Sequence, residues 1–252
     1  MRSVGLDLGT RKTSYCIVDA DGSVHRGTVA GLDELAAVLG PGTAPARIGF
    51  EACREAWHVD ATLRDWGQTP LLIDTTRVRR IGVGQHGRKT DRLDAEAIAR
   101  AVERNQIPLA HVLSPERQRL RVELLTRRGL METRSQSITT VRGIVRSQGL
   151  RIPACDADRF LDKVRACRLP DAVRALIDPL LAVVVVAHQQ LCTLDERIEQ
   201  LCAHEPAIRQ LTTVPGVGLV VAAMFVSVLD EAKRFGSGRQ VASYLGLVPR
   251  IH

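Results

Sequence analysis

The sequence predicts an α/β domain, then a long helical region and a small all-α C-terminal part. Three observations support this. Up to about residue 105, apolar segments of strand length alternate with short amphipathic segments. From there to about residue 204 the apolar spacing is that of long helices, and after Thr212 short apolar segments follow a Pro/Gly turn. We therefore divide the 252 residues into domains 1–110, 111–206 and 207–252.

Five strands are expected in the first domain. SVGLDLG, TSYCIVDA and SVHRGTV come first, and the Asp21-Gly22 turn before the third predicts antiparallel pairing. ARIGFEA and TPLLIDT follow, with LDELAAVLG and EAWHVDATLRDWG as helices between strands. A sheet of order 3-2-1-4-5 would bring the first and fourth strands together. After a basic loop, Thr90 begins the helix DRLDAEAIARAVERN.

The middle domain has the periodicity of a coiled coil. Apolar residues recur every seven positions at Leu124, Met131, Ile138 and Val145. A spacing of three to four continues from Ile177 to Leu201. We expect two long helices packed as an antiparallel hairpin, with a short helix near residues 158–168 between them.

Positive charge is concentrated in the first of these helices. The net charge is +7, and nine arginines against three glutamates lie between Ser114 and Arg151. Such a patch attracts polyanions, and Arg121 and Arg128 are candidate nucleic-acid contacts within it. A solvated helix face is the alternative explanation. Aromatic residues make up only 3% of the chain, which argues against recognition by stacked bases.

Cysteine usage and the N-terminus indicate a cytoplasmic protein. The six cysteines form no Cys-x-x-Cys pair and suggest no zinc site, so we expect small core residues in a reducing compartment. Charged strand residues begin at once, without a signal peptide. The longest strictly apolar run, LLAVVVVA, is too short to span a bilayer, and no membrane association is expected.

Four carboxylates stand where metal ligands are useful. Asp7 lies mid-strand between apolar neighbours, where an unpaired charge costs several kcal/mol. Glu51 ends the fourth strand, which the expected sheet order brings near the first. Asp91 and Asp94 share one face at a helix start, although acidic residues there also suit the helix dipole.

Together the four residues match the arrangement found in RNase H-like nucleases. Such carboxylates can hold two Mg²⁺ (or Mn²⁺) ions about 4 Å apart, one activating the nucleophile and one stabilising the leaving oxygen. A nucleotide-binding ATPase is the alternative for the GLDLGT turn. It requires a second Gly-rich phosphate loop, which the helical second half lacks.

The motifs GLDLGT, GFEA and GRKTDRLDAEAIA resemble the carboxylate blocks of the DEDD insertion-sequence transposases, the IS110 family that includes the Piv/MooV invertases. The resemblance implies an RNase H/RuvC-like fold, DNA transposition or site-specific recombination, and catalytic, metal-binding roles for Asp7, Glu51, Asp91 and Asp94. KTDRLDA is the most specific block.

The C-terminal part extends the resemblance. Val214-Pro215-Gly216-Val217-Gly218 resembles a helix-hairpin-helix, in which Gly216 and Gly218 would present backbone N–H groups to phosphate. A plain helix–helix turn is the alternative. FGSGRQVASYLGLVPR resembles the family's C-terminal domain, which continues into a segment with a nucleophilic serine. This sequence ends at His252 before that segment, so we expect a truncated copy without the serine.

Partners follow from the same resemblance. It implies DNA substrates, a structured guide RNA and a homo-oligomer. A basic loop would suit either polyanion through Arg77, Arg79, Arg80, Arg88 and Lys89. Two other functions stay open: a catalytically dead nucleic-acid-binding remnant, and a RuvC-like Mg²⁺-dependent nuclease or resolvase that needs no serine.

Overall fold

A computed structural model of the chain describes residues 1–74 and 91–247, with residues 91–93 described by their backbone only. The chain divides into two compact units, Met1–Val112 and Leu113–His252, which are described separately. The finer division into three domains remains a prediction.

The first unit is an α/β fold built on a mixed sheet. In the described residues the sheet has five strands in the order β3-β2-β1-β4-β5, as the sequence predicted. β1 pairs antiparallel with β2 and β2 with β3, whereas β4 runs parallel to both β1 and β5. The strands are β1 (Arg2–Leu8), β2 (Thr13–Val18), β3 (Val24–Val29), β4 (Ala46–Glu51) and β5 (Thr69–Ile73).

Helices cover both faces of this sheet. Alternate residues of β1 and β4, among them Leu6 and Phe50, form one core with α1 (Leu32–Leu39) and α2 (Ala56–Asp65). The opposite face packs against α3 (Asp91–Glu103). Because successive strand residues point to opposite faces, the residues between the apolar ones face α3.

Two glycines allow α3 to lie very close to the sheet. Gly5 of β1 and Gly49 of β4 are directly paired. A Cβ at Gly5 would stand 2.0 Å from the carbonyl oxygen of Ala95, and one at Gly49 would stand 2.7 Å from Cγ2 of Val102. No side chain fits at Gly5, so the helix backbone rests directly on the strand.

The second unit contains the predicted helical hairpin. The long helices are α4 (Pro115–Ser147) and α6 (Asp171–Cys202), with α5 (Phe160–Ala166) between them. Arg117 pairs with Glu205, Arg127 with Asp195 and Arg134 contacts His188. Residues later in α4 contact residues that come earlier in the second half of the hairpin, so the two long helices run antiparallel.

Three short helices complete this unit: α7 (Pro206–Leu211), α8 (Leu219–Leu229) and α9 (Gly238–Tyr244). Ala222, Ala223 and Val226 of α8 share a core with Leu124 of α4 and Ile198 of α6. Asp230 follows α8 at φ +60° and accepts hydrogen bonds from the backbone N and the hydroxyl of Ser114, at 2.9 and 2.8 Å. The start of α4 is thereby joined to the end of α8.

One residue of the predicted seam was misplaced. Leu124 and Val145 are buried and Ile138 is partly buried, but Met131 is 38% exposed. Arg127 and Arg134 instead contribute to the seam, where Asp195 and Asp158 accept their hydrogen bonds at 2.5 and 2.7 Å. Met131 turns to a surface pocket lined by residues of α4 and α8.

Helix α6 is long and apolar enough to cross a membrane by length and composition alone, with a mean hydropathy of 1.6 over 18 residues. Core helices can show the same values. One stripe of α6, including Ile177, Val184 and Leu191, is buried within the second unit. The expected absence of a membrane segment remains a prediction.

The close approach at Gly5 predicts a large effect of one added methyl group. Gly5→Ala should lower the free energy of unfolding by about 3 kcal/mol, because the methyl would overlap helix backbone that cannot rotate away. Urea unfolding followed by circular dichroism measures this. Gly27→Ala in β3 is the matched control, since its methyl would meet only the movable ring end of Tyr15. Equal losses in the two variants would contradict the proposed close packing.

Candidate metal centre

Two predicted ligands lie on neighbouring parallel strands. Asp7 and Glu51 each come two residues after the paired glycines Gly5 and Gly49. Since side chains two apart share a face, both carboxylates stand on the α3 side of the sheet, near the carboxyl ends of β1 and β4. Both are half-buried and both have interaction partners.

A third predicted ligand lies on the helix above them. Asp94 precedes Ala95, which contacts the sheet at Gly5, and its residue is only 7% exposed. No group within the described ranges donates a hydrogen bond to its carboxylate. A carboxylate buried in this way is costly unless a cation or a donor accompanies it.

The fourth predicted ligand is only partly described. Asp91 is the first residue of α3, and its side chain lies outside the described residues. Across the part of the chain with described side chains, no three His, Cys, Asp or Glu residues form a group that could hold a metal. Asp7, Glu51 and Asp94 therefore do not complete a site by themselves.

Sequence reasoning missed two features around this site. Asp74 follows β5 directly, so a further carboxylate lies near the edge that carries Glu51. Arg26 of β3 also donates two hydrogen bonds to Glu96 of α3, at 2.7 and 3.0 Å. An acidic residue right after an apolar strand could have indicated the first. Nothing local could have indicated a pair 70 residues apart.

The Arg26–Glu96 pair fixes the helix that carries Asp94. The hydrogen bonds from Arg26 are the main cause that lowers the pKa of Glu96, and the same bonds raise the pKa of Arg26. The pair adds an attachment over β3 to the close packing at Gly5. Helix α3 is thus attached to the sheet at two separated points.

Four of the predicted nucleic-acid contacts, Arg121, Arg128, Gly216 and Gly218, belong to the second unit. Arg121 is half-buried on α4, and the exposed Arg128 pairs with Glu132 at 2.8 Å, which raises its pKa. Gly216 has a left-handed φ of +85°, and Gly218 caps α8 without a side-chain hydrogen bond. The five basic loop residues lie outside the described ranges: Arg77, Arg79, Arg80, Arg88 and Lys89.

Two family profiles match the parts of the chain that contain the carboxylate motifs and the C-terminal glycine motif. The sequence profile of the DEDD transposases of the IS110 type matches residues 4–148, more than half of the chain. A second profile, described as "Transposase IS116/IS110/IS902 family", matches residues 208–252. The chain belongs to the IS110 family of transposases. The resemblance seen in the sequence is confirmed.

Individual relatives of the family are similar over most of this chain. A "Probable family 20 transposase" of Pseudomonas aeruginosa is 29% identical over 214 residues, covering 82% of this chain and 62% of the relative. The "Transposase for insertion sequence element IS1111A" of Coxiella burnetii is 29% identical over 210 residues, covering 81% and 56%. The chain thus spans about three fifths of the length of these two relatives.

The buried Asp94 predicts a gain of stability on neutralisation. Asp94→Asn should raise the free energy of unfolding by about 1 kcal/mol in the absence of divalent metal, because it removes a buried charge that has no described donor. Asp60→Asn is the matched control. Asp60 is also buried in a helix, but Arg64 donates to it at 2.7 and 3.1 Å, so this change should destabilise. Destabilisation by both changes in metal-free urea unfolding would contradict the assignment.

The Arg26–Glu96 pair predicts a pH-dependent effect. The lowered pKa of Glu96 means that its contribution is present above the unfolded carboxyl value near 4.5 and is lost as pH falls through the lower folded value. Glu96→Gln should therefore lower the urea midpoint at neutral pH. Its midpoint should converge with that of the parent protein in acid. A constant difference across the titration would show that charge at Glu96 is irrelevant.

Proposed function

We propose that this transposase cleaves and transfers DNA strands with a metal ion held by Asp7, Glu51, Asp91 and Asp94 in an RNase H/RuvC-like domain. The observation that carries the proposal is the nearly buried Asp94, which lacks a described donor and lies on the helix above the strands of Asp7 and Glu51. Burial of this kind suits a residue whose partner is a cation.

The chemistry of the donors fits magnesium. All four residues offer carboxylate oxygens, the hard ligands that Mg²⁺ and Mn²⁺ prefer. Among the residues with described side chains, Asp7, Glu51 and Asp94 do not form a group that could hold a metal. The proposal therefore requires Asp91, whose side chain lies outside the described residues, as a ligand. When bound, such ions activate an attacking oxygen and stabilise the leaving oxygen of a phosphodiester.

The protein's own task is to hold these carboxylates in place. Asp7 and Glu51 belong to adjacent parallel strands, so backbone pairing sets their separation. Asp94 is set by α3, which the glycine contacts and Arg26 attach to the sheet. Charges fixed in this way need little reorganisation when the substrate arrives.

We further propose DNA and a structured guide RNA as partners. Arg121, Arg128, the basic loop and the turn at Gly216 and Gly218 would contact phosphates. The start of α8 supports the last of these, because its N-cap residue Gly218 makes no side-chain hydrogen bond to the helix and helix N-termini attract anions. Both side chains of the Arg128–Glu132 pair are exposed, so breaking this ion pair to bind a phosphate costs little free energy.

Self-association is the remaining part of the proposal. The two long helices expose large apolar side chains that nothing in the described chain covers, including Leu125, Leu176, Val183 and Val186. A pocket on this surface is lined by Leu130, Ala182 and Val186. Exposed apolar area of this kind is typical of an interface between copies.

Mg²⁺-dependent cleavage of a branched DNA tests the catalytic proposal. Asp7→Asn should reduce cleavage by at least about a hundredfold, since one metal ligand is lost while the strand is kept. Asp33→Asn, an exposed carboxylate on α1, should leave the rate unchanged. Cleavage by this chain alone, lost in Asp7→Asn, would support a resolvase-like nuclease. Retained cleavage in Asp7→Asn would refute the metal site, and DNA binding without cleavage would support a binding-only protein.

A further inference from the structure

We propose that a pocket at the end of α4 binds one backbone phosphate of a nucleic acid through Arg146 and Arg151. The pocket encloses about 360 Å³ and is lined by Thr139, Arg142, Gly143, Arg146, Leu150, Arg151 and Ile152. Three of these seven residues are arginines and none is acidic. The inference rests on the proposed function only for the identity of the partner.

The shape of the pocket follows from the way α4 ends. Gly149 adopts a left-handed φ of +75°, and the backbone N of Leu150 donates to the carbonyl of Val145 at 3.1 Å. This termination reverses the chain just after the helix. Arg151 consequently returns beside the last turn, where Arg146 already lies.

Arg142 holds that returning segment in place. Its guanidinium donates to the carbonyl oxygens of Ile152 and Pro153, at 2.9 and 3.3 Å. It also lies 5.1 Å from the ring centre of the fully buried Phe160. Arg142 therefore has a structural task, which leaves the other two arginines to meet a ligand.

Arg146, at the end of α4, and Arg151, just beyond it, have no acidic partner among the described residues, in contrast to four other arginines of α4. Carboxylates pair with Arg117, Arg127, Arg128 and Arg134. Both pocket arginines are exposed, and no described carboxylate reaches them. Their positive charge remains available to an external anion.

Phosphate is the anion that this arrangement favours. Guanidinium groups form paired, charge-assisted hydrogen bonds with phosphate oxygens. The carboxyl end of a helix opposes an anion with about half a negative charge. Three full positive charges at the pocket outweigh this, so the local potential stays positive.

Gly143 provides room on the helix side of the pocket. A Cβ there would meet nothing within 4 Å, so no packing contact requires the glycine. A glycine inside a helix costs about 1 kcal/mol relative to alanine. A side chain at this position would project into space that the phosphate would occupy.

The inference is tested by measuring how tightly the full chain binds a short labelled duplex DNA and a single-stranded RNA. R146A/R151A should weaken binding about tenfold and reduce the magnitude of the salt slope by about 1 between about 50 and 200 mM salt. R119A/R168A is the matched control, since it removes two exposed arginines outside the pocket. Equal losses in both double variants would overturn the pocket in favour of a diffuse field.

A second pair of variants separates the pocket from its arginines. Gly143→Glu keeps both arginines but places a carboxylate among them, and it should weaken binding as much as R146A/R151A. Gly129→Glu adds the same charge at another open glycine of α4 and controls for charge and helix propensity. Losses that match in the two glutamate variants would contradict the inference.

Inorganic phosphate distinguishes the source of the ligand. At constant ionic strength, phosphate should lower the nucleic-acid affinity of the parent protein towards that of R146A/R151A and leave the variant unaffected. Tight phosphate binding with unchanged nucleic-acid affinity in R146A/R151A would overturn the inference and indicate a site for free phosphate. Because these assays measure binding, loss of cleavage in Asp7→Asn has no bearing on them.

Discussion

The contact between α3 and the sheet is the constraint on which the candidate metal centre depends. Glycines stand side by side on the two central parallel strands, and the helix backbone occupies the space that side chains would fill. A helix placed this close brings Asp94 near the sheet and leaves the residue only 7% exposed. The price of the geometry is a nearly buried charge, which natural proteins keep mainly where function requires it.

The arginines of α4 fall into two groups, those that pair with acidic residues of the protein and those that do not. Arg127 and Arg134 lie at the helix seam, with side chains only 20% and 12% exposed, and acidic residues beyond α4 pair with them. The Arg127–Asp195 pair joins α4 to α6 and favours one alignment of these helices, whereas Asp158, the partner of Arg134, lies just before α5. The net charge of α4 therefore overestimates how many of its arginines are available to bind an anion, because some of them already pair with acidic residues of the protein.

The periodic features of the fold could be predicted from sequence, whereas features that depend on distant partners could not. Strand alternation and the Asp21-Gly22 turn predicted the strands and the antiparallel pairing of the first three, and the sheet order that we assumed is the observed one. The heptad pattern wrongly predicted that Met131 is buried between the long helices. Arginines of α4 lie there instead, and their acidic partners are distant in the sequence. The Arg26–Glu96 pair was missed for the same reason. For the candidate site, residue types and their positions at strand ends and a helix start selected Asp7, Glu51 and Asp94 as candidates, but they did not predict the burial of Asp94.

The candidate sites of the two compact units differ in the sign of the charged side chains that have no described partner. In the first unit, the attached helix α3 itself carries Asp94, a nearly buried carboxylate to which no described group donates a hydrogen bond. In the second unit, four of the eight arginines of α4 pair with carboxylates, whereas Arg146 and Arg151, beside the Gly149 reversal, have no described carboxylate partner. Charges that the fold leaves unpaired are available to a ligand where the surrounding surface forms a pocket. The proposed function, a metal-dependent reaction on a phosphodiester polymer, needs a cation, for which the first unit is suited, and a contact with an anion, for which the second is suited.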